Sequence, residues 1–359
     1  MFNSGFSIAA VGDLVPSRRL PQGAARTAGF EETVSCLKEA DVTFGDLEMP
    51  LASGGYPREK FIAFHAAPEI AEDLSSLGFQ ILSLANNHSL DYGTEALQET
   101  MTGLEKAGIK HLGAGADLTL AEQPVIVDVA GGRLGFLAWS CLLPSGAAAG
   151  PERPGLAPLH VNVAFEVDSY IQMEEPGNPP AVRTSVTATD LARAQDQIRA
   201  IRSTVDFLAV SVHMGYGAAE DLAEYQRPLC HALIDAGADI VLGNHVHAIH
   251  GIEVYDERAI LYSPGNFIAQ QPREGVSGAI LALYQDMSRE GYIAQIDVHD
   301  SGRYEVHLVP TVTNDDGLPE TQHGESAKAI AHRIQRLSEL LGTKVDVTGD
   351  RLTLVGLGS

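Results

Sequence analysis

Residues 238–247 read Ala238-Asp239-Ile240-Val241-Leu242-Gly243-Asn244-His245-Val246-His247. The apolar run 238–242 has the pattern of a buried strand, and a second strand-like run, Ile252 to Tyr255, follows the turn. Between them stand two histidines two positions apart. Residues i and i+2 of an extended backbone point to the same side, and in a loop leaving a strand end both rings can converge on one point. Imidazole is the commonest nitrogen ligand for metals such as zinc, manganese, iron and nickel. An isolated His-x-His is more often a pair of polar loop residues, so the rest of the chain has to decide.

Upstream, the same event recurs. Ser7 to Val11 is a short apolar strand that ends at Gly12-Asp13. Val42 to Gly45 runs into Asp46-Leu47-Glu48, with Asp46 and Glu48 able to face one side. Phe79 to Leu84 runs into Ala85-Asn86-Asn87-His88-Ser89-Leu90-Asp91-Tyr92-Gly93, and Phe207 to Val212 closes at His213. Asn and Asp favour turns for backbone reasons, but a turn gives no reason for the His between them. Helical patterns over 31–40, 68–77, 94–107, 189–202 and 222–236 separate these strands. Alternating strands and helices predict an α/β fold with its ligands at the strand tips.

The remaining segments are read more coarsely. Val125 to Val129 and Leu134 to Trp139 predict a hairpin, and Asn162 to Ile171 a strand. The stretch 140–185, rich in Gly, Ala and Pro, reads as a lid or substrate-facing insertion. Ala279 to Tyr284, Tyr292 to His299 and Tyr304 to Pro310 read as an antiparallel set. Ser326 to Leu341 reads as an amphipathic helix, and Lys344 to Val355 as a closing hairpin around Gly349-Asp350.

Composition narrows the function classes. The chain has 359 residues, enough for one large domain or two, and 45% hydrophobic with 20% charged residues is globular usage. A formal net charge of −23 argues against nucleic-acid or anionic-membrane partners, although a small basic pocket is compatible with it. Cys36, Cys141 and Cys230 form no CxxC pair and predict free thiols. No apolar run is long enough for a membrane span, and no signal-peptide pattern is evident, so the expected location is the cytoplasm.

Strand after strand therefore ends in a residue that can bind a metal: Asp13, Asp46/Glu48, Asn87, His213 and His245/His247. A mixed nitrogen and oxygen set suits manganese, iron, zinc or nickel rather than a thiolate zinc site. Two ions sharing a carboxylate can orient a water and lower its pKa. His88 carries no structural duty that the sequence shows, and Asp91 three residues later can fix its tautomer, which makes His88 a candidate general acid or base. Arg18, Arg19, Arg58 and Lys60 are candidates for holding a substrate anion. Asn266, in Ser263-Pro264-Gly265-Asn266-Phe267 after the strand-like 259–262, is a further candidate substrate contact.

With these motifs in order the chain resembles the CapA family of poly-gamma-glutamate biosynthesis proteins, whose fold is similar to the calcineurin-like metallophosphoesterases. The resemblance rests on V-G-D at Asp13, G-D-L-E at Glu48, L-A-N-N-H-S-L-D-Y-G around His88 and S-V-H-M-G at His213. D-A-G-A-D-I-V-L-G-N-H-V-H through His247 and Y-S-P-G-N-F through Phe267 complete it. It implies an α/β/β/α sandwich, two mixed β-sheets flanked by helices. The catalytic domain would be 1–320, with the C-terminal helix and hairpin of 321–359 packed on it. It also implies one or two divalent ions (Mn, Zn or Fe). Asp13 and His247 would hold one, Asn87, His213 and His245 the other, with Glu48 bridging, His88 as proton donor and Asp91 its partner.

Three departures from the family pattern bear on this. Val15 stands where phosphoesterases of the superfamily have a His, which leaves one ion or two open. Asp46 stands where the family usually has Asn, and competes with Glu48 as ligand. Membrane-bound members carry an N-terminal anchor, and the residues that open this sequence lead to the expectation of none here. The resemblance implies a soluble metal-dependent hydrolase acting on an amide or phosphoester of a small anionic, gamma-glutamyl or peptide-like substrate. The alternatives are a metal-dependent peptide epimerase working by acid/base chemistry at Cα, and a non-catalytic accessory protein of polyglutamate or capsule synthesis. The oligomeric state is not legible.

Overall fold

The computed structural model describes residues 4–217, 220–272, 276–299, 302–348 and 351–358. Two mixed sheets face each other, and helices cover their outer faces. In the larger, ten-stranded sheet the strands Ser4–Val15, Val42–Leu47, Ile81–Ser83 and Lys110–Leu112 run parallel, and Glu290–His299 joins Ser4–Val15 antiparallel. The six-stranded sheet has Gly132–Ser140, Phe207–His213, Ile240–Asn244 and Arg258–Leu261 in parallel, with Val125–Val129 and Ile252–Tyr255 antiparallel at its edges.

Strand periodicity explains the layers. In Ser4–Val15, Phe6, Ile8 and Ala10 face the core between the sheets, while Ala9 and Val11 face the helices. Phe44 of one sheet stacks on Phe136 of the other, with centroids 5.5 Å apart. The helices Ala28–Lys38, Ile70–Leu77 and Gly93–Lys106 bury Phe30, Leu37, Leu74, Leu77 and Leu104 on the larger sheet. Ala188–Arg202 and Gln226–Asp235 bury Ile198, Leu229 and Leu233 on the smaller. The layering is α/β/β/α, as the resemblance implies. Helix Gly324–Glu339 puts Ile330, Ala331 and Ile334 into the core between the sheets.

Several expectations need correction. Ala279 to Tyr284 is not a strand but part of the helix Gly278–Asp286. Ser277 caps it by accepting from the Ile280 amide, and Ala and Leu propagate it. The strand expected over 162–171 is Val161–Glu166, and after it the chain turns into the short helix Ser169–Glu174, capped by Asp168. Within 140–185, Ala147, Ala149, Leu156, Ala157 and Leu159 are buried, whereas the hairpin of Val161–Glu166 with Ala181–Val186 projects from the body. Asp346–Thr348 pairs with Arg351–Leu357 as a hairpin, and the Gly349-Asp350 turn lies outside the described residues.

Register places the chemistry. In the larger sheet Asp13 is paired with Asp46 on one side and Asn266 on the other, and Asp46 is paired in turn with Ser83. In the smaller sheet His213 is paired with Asn244 and Ser140. The two rows end the parallel strands at one end of the sandwich, where ligands of open α/β sheets gather.

Candidate metal centre

Glu48 lies at the middle of the cluster. It is fully buried, and both carboxylate oxygens lack a hydrogen-bond partner. Its Oε1 lies 3.5 Å from His213 Nε2, and its Oε2 lies 3.5 Å from His247 Nε2. A buried carboxylate without donors carries a heavy desolvation penalty, which a cation between it and the two rings removes. Ligand atoms of Glu48, His213 and His245 lie within 4.8 Å of one another, as do those of Asp13, Glu48 and His247, and of Asp13, Asp46 and His213. Glu48 thus belongs to two of these triads, and the donor set of carboxylates and imidazoles fits divalent first-row metals.

The backbone is shaped to hold this geometry. The strand Ile240–Asn244 ends, and His245 and His247 take left-handed φ angles of 106° and 54°. Such angles are costly for residues with a Cβ and mark a functional constraint. The His245 amide donates to Asp13 Oδ2 at 3.1 Å, tying the two sheets across the site. His245 Nδ1 is buried without a hydrogen-bond partner. His247 Nδ1 lies 2.8 Å from Asn266 Oδ1 and 3.4 Å from Asp13 Oδ2.

Protons mark the electrostatic demand. His213 faces acceptors on both nitrogens: Asp46 Oδ2 lies 3.0 Å from Nδ1, and Asn87 Oδ1 lies 2.6 Å from Nε2. Burial works against the charge on this ring, but Asp46 and Glu48 outweigh it and raise its pKa to about 10. Burial likewise opposes a charge on His247, and Glu48 and Asp13 lift it to about 9. His245 is pushed well below its usual value by burial and by the neighbouring His213. Burial raises Asp46 to about 6 against the pull of His213. Burial would also raise Glu48, but His247 and His213 more than offset it and hold the carboxyl below its usual range. The imidazolium protons thus sit where cations would balance the same carboxylates.

Beside this cluster stands an acid–base pair. His88 Nδ1 donates to Asp91 Oδ2 at 2.6 Å, and the Phe64 ring packs on the imidazole with centroids 4.4 Å apart. Asn86, adjacent to the ligand candidate Asn87, organises the turn: its Oδ1 accepts from the amides of His88 and Ser89. Its Nδ2 donates to Asp46 Oδ1 and to the Leu47 carbonyl. Asn86 was legible as a turn former, but its bond to Asp46 spans two strands and left no local signal.

The five residues expected to contact substrate fare differently. Arg19 is taken away from the site by Asp73 on the helix Ile70–Leu77, with bonds of 2.6 and 2.7 Å. Lys60 is turned inward: its ammonium bonds Asp91 Oδ1, donates to the Asn87 carbonyl at 2.7 Å and stands 3.3 Å from His88 Nδ1. The Arg58 amide donates to the Asp91 carbonyl, and its guanidinium lies beside Gly146. Asn266 is spent on His247 and donates to the Ser288 carbonyl, although it also lines a groove of about 970 Å³ next to the centre. Arg18 lines the same groove and bonds Asp316. Gln271 Nε2 and Tyr284 Oη, both buried and without hydrogen-bond partners, line it too.

Residues 7–271 match the family described as bacterial capsule synthesis protein PGA_cap. An uncharacterised protein of Sinorhizobium fredii is 29% identical, over 98% of this chain and 93% of its own. The capsule biosynthesis protein CapA of Bacillus anthracis is 26% identical, over 82% of this chain and 67% of its own. A phosphatase of known structure from Mycoplasma pneumoniae superposes with a TM-score of 0.49 at 11% identity, covering 87% of this chain and 95% of that one. Among the described residues no helix is long and apolar enough to cross a membrane.

Proposed function

The chain belongs to the bacterial capsule synthesis protein PGA_cap family, and from that membership and the geometry of the centre we propose that it is a metal-dependent hydrolase. The observation that carries the reading is Glu48, a buried carboxylate with two unpartnered oxygens, each facing a different histidine. That arrangement suits a bridging ligand between two divalent ions, with Asp13 and His247 on one side and Asn87, His213 and His245 on the other. Manganese, zinc or iron fits the donor set. Bound ions supply Lewis acidity and lower the pKa of a water.

The chain's own residues do the rest. Asp46 orients His213, and Asn266 orients His247. Asp91 accepts the Nδ1–H hydrogen bond of His88, which orients the ring so that, when Nε2 is also protonated, Nε2 delivers its proton to the leaving group and the ring is left neutral. The substrate lies in the groove walled by Arg18, Gln271 and Tyr284. Their donors suit an amide or phosphoester within a small anionic or peptide-like molecule in the cytoplasm. A role in assembling capsule polymer is the second reading, favoured by the family description and by the name of the Bacillus relative.

The test is turnover. Protein purified without a His-tag or chelator is loaded with manganese or zinc and offered gamma-glutamyl amides and phosphodiesters, beside a His88→Ala variant. Hydrolysis that falls at least about 100-fold in the variant supports the reading. A fully loaded protein with no turnover on either class leaves the polymer-assembly reading standing instead.

A further inference from the structure

Lys60 is the feature of the site that the hydrolase reading leaves without a task. Its ammonium is mostly buried and touches three parts of one turn: the Asp91 carboxylate, the Asn87 carbonyl and, at 3.3 Å, the His88 ring. Asn87 is a candidate ligand, His88 the candidate acid and Asp91 the partner of that acid. One cation therefore contacts every functional member of the 87–91 turn.

Lys60 reaches this turn from a segment without regular structure, between Ala52 and Ala66. The 87–91 turn anchors that segment three times more, twice through Asp91 and once through His88. The Asp91 carbonyl accepts from the Arg58 amide at 2.7 Å, its Oδ2 accepts from the Phe64 amide at 2.7 Å, and the Phe64 ring covers His88. At the outer side of the segment Tyr56 and Phe61 are exposed. A loop with few regular backbone bonds depends on such anchors for its position. A buried carboxylate that accepts from His88 and Phe64 in turn needs a counter-charge, and Lys60 is that counter-charge.

We propose that Lys60 is a positioning residue, a pin that fixes the 57–64 loop to the 87–91 turn and thereby sets Asn87 and His88 in register with each other. It acts through Asp91 and the Asn87 carbonyl, not by contact with substrate. The proposal accepts the roles given above to Asn87 and His88, but its test does not depend on turnover.

The experiment compares Lys60→Met, which keeps the stem and loses the charge, with Lys60→Arg. Hydrogen exchange of the Arg58 and Phe64 amides reports the loop, and nitrogen NMR of the His88 side chain reports the turn. In Lys60→Met, protection of those two amides falls at least about tenfold and the His88 Nδ1–H signal moves or broadens. Lys60→Arg retains most of both. Far-ultraviolet circular dichroism, unchanged in both variants, separates this from unfolding. If Lys60→Met does not fold, Lys60→Gln carries the same readings. Unchanged protection and an unchanged His88 signal in the charge-free variant overturn the proposal. Where wild-type turnover exists, Lys60→Met lowers kcat with KM nearly constant. Absence of turnover in wild type counts against the hydrolase reading alone.

Discussion

Asp46 Oδ2 lies 3.0 Å from His213 Nδ1, placed to orient that ring, and Asp46 also shares a triad with Asp13 and His213. Register puts Asp46 next to Asp13 in the larger sheet, and the side chain crosses to the smaller sheet to reach His213. Partners of this kind fix a ligand's tautomer and raise its basicity, and their loss costs about 10–100-fold in metal affinity. Asp46→Asn, which keeps the shape and can still contact Nδ1, should lie at the mild end of that range, and Asp46→Ala at the severe end. Titration of manganese by isothermal calorimetry checks the order. Equal affinity in all three proteins would show that the contact does not orient the ring.

Glu48 faces His213 with Oε1 and His247 with Oε2, and this predicts different stoichiometries for different substitutions. Wild type should hold about two ions, Asn87→Ala and His247→Ala about one each, and Glu48→Ala close to none. Elemental analysis of chelator-free protein measures this directly. Because residue 15, two positions after Asp13, is a valine with no ligand atom to offer, the His247 side should be the weaker one and empty first on dialysis. Wild type with a single ion, retained in His247→Ala, would restrict the site to Glu48, His213, His245 and Asn87.

The ligand candidates were legible because they stand where apolar runs stop, a local property that period and turn signals expose. What each candidate touches was not legible. Arg19 and Lys60 are both basic residues expected to hold a substrate anion, yet Asp73 holds one away and Asp91 draws the other in. Those partners lie 54 and 31 positions away. The helix Gly278–Asp286 was read as a strand because a continuous apolar run has no clear period. The cap at Ser277 was the available counter-signal.

Gly12 sets the spacing of the centre. A methyl group on it would lie 1.9 Å from the Gly265 carbonyl oxygen, in the loop that delivers Asn266 to His247. Backbone on both sides leaves no flexible end to move aside. Gly12→Ala should therefore cost ~1–3 kcal/mol of stability and weaken metal binding as Asp13 shifts. Gly103, in the interior of the helix Gly93–Lys106 with open space around its Cβ position, makes the contrast. Gly103→Ala should gain ~0.5–1 kcal/mol from helix propensity and leave metal binding alone. Urea denaturation of both variants tests the pair, and equal effects would mean that the close approach at Gly12 is relaxed in solution.

Asp190 gives a pH dependence remote from the metal cluster. It accepts from the His160 amide at 2.8 Å and from Arg193 at 2.5 Å, joining the root of the projecting hairpin to the helix Ala188–Arg202. Burial works to raise its pKa, but the His160 amide, Arg193 and the His160 ring together lower it below the ordinary value. A carboxylate whose pKa falls on folding binds fewer protons in the native state, so it contributes stability above its unfolded pKa of about 3.9. That contribution is lost as pH falls through the lower folded value. Asp190→Asn should therefore be destabilised at neutral pH by ~1–3 kcal/mol. The gap to wild type should then close in the acid range, below the ordinary carboxylate pKa. Denaturation midpoints measured from neutral pH into that range decide the point, since a gap that stayed constant would assign the loss to packing rather than to the charge.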